Sequence, residues 1–165
     1  MDRFRNNIIS KYKEQGKAWL EKLPKIVTEL AIEWNLTELK SINNLSFNYV
    51  LLGYQNNTPI ILKIGFDNNE LLQETEALKA FKNSGVVDIL AQKDNALLLE
   101  KAAPGVSLKG YSSDNKIAIA CKVMDKLHKA QIPPLNNFSN IKDQLKILDK
   151  EWGLPQLNLL YNLIY

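Results

Sequence analysis

The sequence predicts an α+β fold built on an antiparallel sheet, and three observations carry that prediction. Two pairs of β-branched, leucine-rich or aromatic runs are joined by turns too short for a parallel crossover, so each pair reads as a hairpin. Stretches with apolar residues at helical spacing precede, separate and follow these pairs. The chain has 165 residues, 45% of them hydrophobic, enough for a core that needs no disulfide or metal.

Taken in order, Phe4, Ile8, Tyr12 and Trp19 form a rough helical stripe between Arg3 and Leu20. Leu23-Pro24 punctuates it. Pro24 suits the first turn of a second helix, where its missing N–H costs nothing. Ile26, Val27, Leu30, Ala31 and Trp34 follow at helical spacing, with Asn35 as the stop. After Lys40 the texture changes. Phe47 to Tyr54 and Pro59 to Ile64 read as strands, with turn residues at Asn56-Asn57 between them. A helix follows over about 69–82, closed by Asn83-Ser84-Gly85. Val86 to Ala91 and Ala96 to Glu100 read as two more strands about a Lys93-Asp94-Asn95 turn. Pro104-Gly105 breaks the pattern. A helix is expected from Ser113-Asp114, with Asp114 as cap and Ile117, Cys121, Met124 and Leu127 as its buried stripe, ending at Pro133-Pro134. A last helix is expected from Ile141 to Trp152.

Composition excludes several classes of function. One cysteine, Cys121, and one histidine, His128, cannot make a disulfide or a metal site within the chain. Burial on the apolar stripe would make Cys121 inert, and His128 reads as a packing or hydrogen-bonding residue. This cysteine usage suits a cytoplasmic location. No apolar run approaches the roughly 20 residues that span a bilayer, and the N-terminus is no secretory signal. The net charge of +3 is spread along the chain, and arginine occurs only at Arg3 and Arg5. Nothing clusters as a nucleic-acid binder would require, so no nucleic-acid partner is expected.

The chemistry lies in an arrangement rather than in one motif. Lys63 sits near the end of the run Ile60-Ile61-Leu62-Lys63-Ile64, among aliphatic neighbours. A charge placed there must reach a counter-charge or an anion, or stand at a solvated edge. Glu74 follows on the next helix, with Leu78 and Phe81 at i+4 and i+7, so it shares the face that packs on the sheet. Glu76 is the rival for this role, with poorer helical phase. A strand lysine aimed by a helix glutamate is how a kinase holds the α- and β-phosphates of ATP. The bland alternative is a surface lysine and a solvated glutamate. The order of the remaining segments weighs against it.

Leu62-Lys63-Ile64, then Glu74-Thr75-Glu76-Ala77-Leu78, then Ala96 to Leu108 with its Pro104-Gly105 step resembles the small lobe of aminoglycoside and hydroxyurea phosphotransferases. Gly16 to Leu20 with Leu23-Pro24 is similar to the leader of that family. Met124 to His128 with Pro133-Pro134 is similar to its next helix and proline turn. The resemblance implies a kinase-like small lobe with a helical leader over 1–40, the lobe over 41–103, and the first helices of a large lobe over 104–165. It implies ATP as cofactor with Mg²⁺, and a small-molecule acceptor. Lys63 would contact the phosphates and Glu74 would pair with it. Glu100, Lys101 and Ala102 would form the hinge that offers backbone groups to adenine. Ser46 and Asn48 stand where a phosphate-covering turn belongs, without a glycine-rich pattern.

Phosphoryl transfer also needs a base for the acceptor hydroxyl and oxygen ligands for the metal. In this family they come from a His-x-Asp segment with a following Asn, and from a later Asp. The 165 residues contain no His-x-Asp. The expectation is therefore a truncated antibiotic-resistance kinase, inactive alone. Its apolar segment 157–165 would favour self-association or docking of a complementing C-terminal half. The alternatives are a non-catalytic nucleotide-binding or regulatory module and a helical protein-interaction protein.

Overall fold

The computed structural model describes residues 2–43, 45–110 and 115–130, the side chain of Asn68 excepted. Met1–Pro133 form one compact unit, and the second unit, Pro134–Tyr165, lies beyond Ala130, outside the described residues. The helix expected over 141–152 and the apolar segment 157–165 also lie outside them.

The first element, α1 (Asp2–Glu33), contains a break. The break is not at Pro24, as the sequence suggests. It is at Lys13, whose φ of 52° and ψ of −130° leave the helical region. Two helical segments therefore meet there, 2–12 and 14–33. Their packing depends on Gly16: a Cβ at that position would stand 2.7 Å from the Ile8 carbonyl oxygen. Pro24 stays inside the second segment, at an exposed position. Leu23 and Leu30, buried on the opposite side, hold the helix through it. Asn35 ends the helical region with φ of 52°.

Five strands follow: β1 (Leu36–Ser41), β2 (Asn48–Gln55), β3 (Thr58–Gly65), β4 (Ile89–Lys93) and β5 (Ala96–Glu100). Their order in the sheet is β1-β2-β3-β5-β4, antiparallel throughout. The β2–β3 turn is Asn56-Asn57, both at positive φ, as a tight two-residue hairpin demands. Asp94, also at positive φ, turns β4 into β5. β4 begins three residues later than expected, at Ile89 rather than Val86. β1 falls within the span read as helical leader. Its sequence, Leu-Thr-Glu-Leu-Lys-Ser, is too polar to read as a strand, which is how an exposed edge avoids further pairing.

Each face of the sheet carries a helix. Ile60, Leu62 and Ile64 of β3, with Ala96 and Leu98 of β5, pack under α1 against Phe4, Ile8, Leu20, Leu23 and Leu30. The alternate residues Ile61, Leu97 and Leu99 pack against Leu71 and Leu78 of α2 (Asn68–Ala80). This two-sided burial explains why Ala96-Leu97-Leu98-Leu99 is continuously apolar. α2 is capped by Asp67, whose side chain accepts the Asn69 N–H at 2.9 Å. The result is α+β with an antiparallel sheet, the architecture expected of a kinase-like small lobe.

A short 3₁₀ turn, η1 (Leu108–Gly110), and α3 (Lys116–His128) complete the described chain. The stripe expected to be buried on α3 is exposed: Ile117 is 77% and Met124 52% accessible, and Cys121 is exposed too. Its amphipathic spacing is real, but no described element covers it. The cap expected at Asp114 lies outside the described residues; Asn115 holds the N-cap position.

Candidate nucleotide site

Lys63 leaves β3 on the α2 side of the sheet. Its register partners Val50 and Leu97, and those of Ile61, Leu52 and Leu99, share that face. Lys63 Nζ donates to Glu74 Oε2 at 2.5 Å. The two side chains are 20% and 32% exposed, so the pair is largely withdrawn from water while retaining an open side. A lysine in such aliphatic surroundings loses hydration and needs a fixed anion. Glu74 supplies it from the second turn of α2. Glu76 does not compete, because it pairs with Lys79 at 3.2 Å on the outer surface.

The position of α2 depends on Gly65. A Cβ there would stand 2.9 Å from both Leu71 Cδ1 and Asn48 Oδ1. Glycine thus lets the helix start and the beginning of β2 close on the end of β3. Within α2, fully buried Thr75 returns its hydroxyl proton to the Leu71 carbonyl at 2.7 Å, so no polar group is stranded beneath the pair.

Ser46 and Asn48 lie in and just after the β1–β2 connection. Asn48 pairs with Gly65, two residues beyond Lys63, so the connection stands at the Lys63 end of the sheet. The Ser46 carbonyl accepts a hydrogen bond from Asn7 Nδ2 at 3.1 Å. Glu100 is at the other end of β3, opposite Ile60. Three residues of strand, about 10 Å, separate it from the level of Lys63. Alternation turns the Glu100 side chain to the α1 face, where it accepts the Asp88 N–H at 3.2 Å.

The structure therefore brings Lys63, Glu74, Ser46 and Asn48 to one end of the sheet, with Glu100, Lys101 and Ala102 at the other. Sequence reasoning missed Lys11 and Glu70, which pair at 2.7 Å beside the same end. No local pattern announces a contact across 59 residues.

Two cavities, of about 590 and 330 Å³, open along α1. The first is lined by Phe4, Leu20, Tyr49 and Leu51, the second by Trp19, Glu33, Ile64 and Lys93; Lys63 lines neither. Among the described residues, no group of three or more His, Cys, Asp or Glu could hold a metal ion. No helix of the described residues is long and apolar enough to cross a membrane.

A strand lysine fixed by a helix glutamate on the open face of a five-stranded sheet is the phosphate-holding arrangement of a protein-kinase-like small lobe. Residues 34–151 match the family of aminoglycoside/hydroxyurea antibiotic resistance kinases, and the chain belongs to that family. Neither a curated protein nor a solved structure matches it.

Proposed function

We propose that the chain binds ATP on the open face of its sheet, as the nucleotide-holding lobe of a phosphotransferase that acts on a small hydroxyl-bearing acceptor. The observation that carries this reading is the Lys63–Glu74 pair at 2.5 Å, poised on the one sheet face not closed by α1. Lys63 would neutralise the α- and β-phosphates. Glu74 would keep the ammonium aimed when no nucleotide is present. Leu52, half-buried on that face, would give adenine an apolar contact, and the backbone of Glu100 to Ala102 would read its edge. Ser46 and Asn48 would stand beside the phosphates. Aminoglycosides and hydroxyurea are the acceptor classes the family description suggests.

Transfer of the γ-phosphoryl group also requires a residue to take the acceptor's proton and ligands for the metal. The sequence has no His-x-Asp segment to supply them, so a non-catalytic nucleotide-binding module is the second reading. A phosphotransfer assay with an aminoglycoside separates the two: no turnover is expected from these 165 residues alone, and measurable transfer would contradict the second reading.

The nucleotide site is tested by thermal unfolding with and without Mg-ATP. Ligand at a hundredfold excess over Kd stabilises a protein by about 2.7 kcal/mol, a rise of roughly 5–10 °C for a chain of this size. That rise is expected for the wild type and not for Lys63→Ala. Equal shifts for both, or none for either, would remove the site.

A further inference from the structure

We propose that the N-terminal segment of α1, residues 2–12, is a clamp that sets the position of α2 and of the β1–β2 connection, with Lys11 and Asn7 as its positioning residues. The consequence for affinity rests on the nucleotide reading above; the clamp itself does not.

Asn7 and Lys11 are four residues apart, so they lie one turn apart on one helix face. Asn7 Nδ2 donates to the Ser46 carbonyl at 3.1 Å, which ties the helix to the β1–β2 connection. Lys11 Nζ donates to Glu70 Oε1 at 2.7 Å, which ties it to the first turn of α2. The same ammonium stands 5.0 Å from the ring centroids of Tyr12 and Phe47, so it touches the connection as well. Tyr12 stacks on Phe66, with centroids 4.1 Å apart, immediately before the Asp67 cap of α2. Its hydrogen bond to Glu70, with Tyr12 adding to it, holds the Lys11 ammonium above the ordinary lysine range against a smaller opposing desolvation.

Glu70 and Glu74 are also four residues apart, one turn along α2. The helix is therefore pinned at two successive turns: Lys11 holds Glu70, and Lys63 holds Glu74. Rotation or withdrawal of α2 would break both pairs together. The break at Lys13 is what frees residues 2–12 from the line of the second segment and lets them reach these partners. The leader thus does more than cover the sheet. It fixes the geometry of the phosphate end from outside the lobe.

The test uses the full chain and the variants Lys11→Glu, Glu70→Lys and the double exchange Lys11→Glu/Glu70→Lys, all at exposed positions that leave the core intact. Amide hydrogen exchange without nucleotide is read over residues 42–48 and 66–74. Each single reversal is expected to accelerate exchange in both segments, and the double exchange to restore the wild-type pattern in 66–74. Unchanged exchange in the single variants, or no restoration in the double one, overturns the clamp. ATP affinity is then measured on the same proteins. A loss of about two- to fivefold in each single variant, the range an exposed ion pair can supply, with recovery in the double exchange is expected. Wild-type affinity in the single variants would overturn the positioning role of Lys11. Exchange that responds as expected in a protein that binds no ATP would uphold the clamp and remove the nucleotide reading instead.

Discussion

Lys63 shows how much one side chain can be constrained by its surroundings. Strand alternation decides its face, aliphatic neighbours strip its water, and a carboxylate one helix away supplies the missing charge. A hydrogen bond involving a charged group contributes about 1.5–3 kcal/mol, and the pair's partial exposure argues for the lower end. Glu74→Ala leaves Lys63 without its counter-charge. It is expected to lower the unfolding temperature by roughly 3–6 °C. It should also weaken ATP binding less than Lys63→Ala does, because the ammonium remains. A Glu74→Ala protein that melts with the wild type and binds ATP as tightly would mean that the pair holds nothing in place. Phase made the pairing a candidate, since Glu74, Leu78 and Phe81 share a helical face and Lys63 interrupts an aliphatic strand, and the order of the other segments favoured it over a surface lysine and a solvated glutamate. Glu100 was legible in position but not in direction. Its carboxylate turns to Asp88, away from the face Lys63 uses.

At the scale of elements, Gly65 decides how closely α2 approaches the sheet. Gly65→Ala would force a methyl to within 2.9 Å of Leu71 and Asn48. Overpacking of this kind costs about 1–3 kcal/mol, so a fall in unfolding temperature of roughly 2–10 °C is expected by calorimetry. An unchanged transition would show that α2 can yield without loss. The hairpins and α2 were legible because their signals are local: Asn56-Asn57 for the turn, apolar runs for the strands, Asn83-Ser84-Gly85 for the helix end. The break in α1 was not. Pro24 looks like the boundary, yet it lies on the solvated side of a helix held by Leu23 and Leu30. Lys13 carries no breaker signal; at its break Ile8 closes on Gly16, a contact across eight residues that no local pattern announces. β1 was hidden by its own polarity, and the stripe on α3 promised a burial that the described residues do not provide.

At the scale of the whole molecule, the described residues close the sheet on one side with α1 and leave it half open on the other, where α2 and Lys63 stand. On the proposed reading that asymmetry would give the chain a face for a nucleotide, and the leader would brace the Lys63 end of that face through Asn7 and Lys11. Family membership over residues 34–151 agrees with the architecture. The central claim is that the open face holds ATP through Lys63. Calorimetric titration of Mg-ATP into the wild type and Lys63→Ala tests it most directly. Saturable binding by the wild type, weakened at least about tenfold in the variant, is the predicted result, a difference of about 1.4 kcal/mol or more. No binding by the wild type, or equal binding by both proteins, would contradict it.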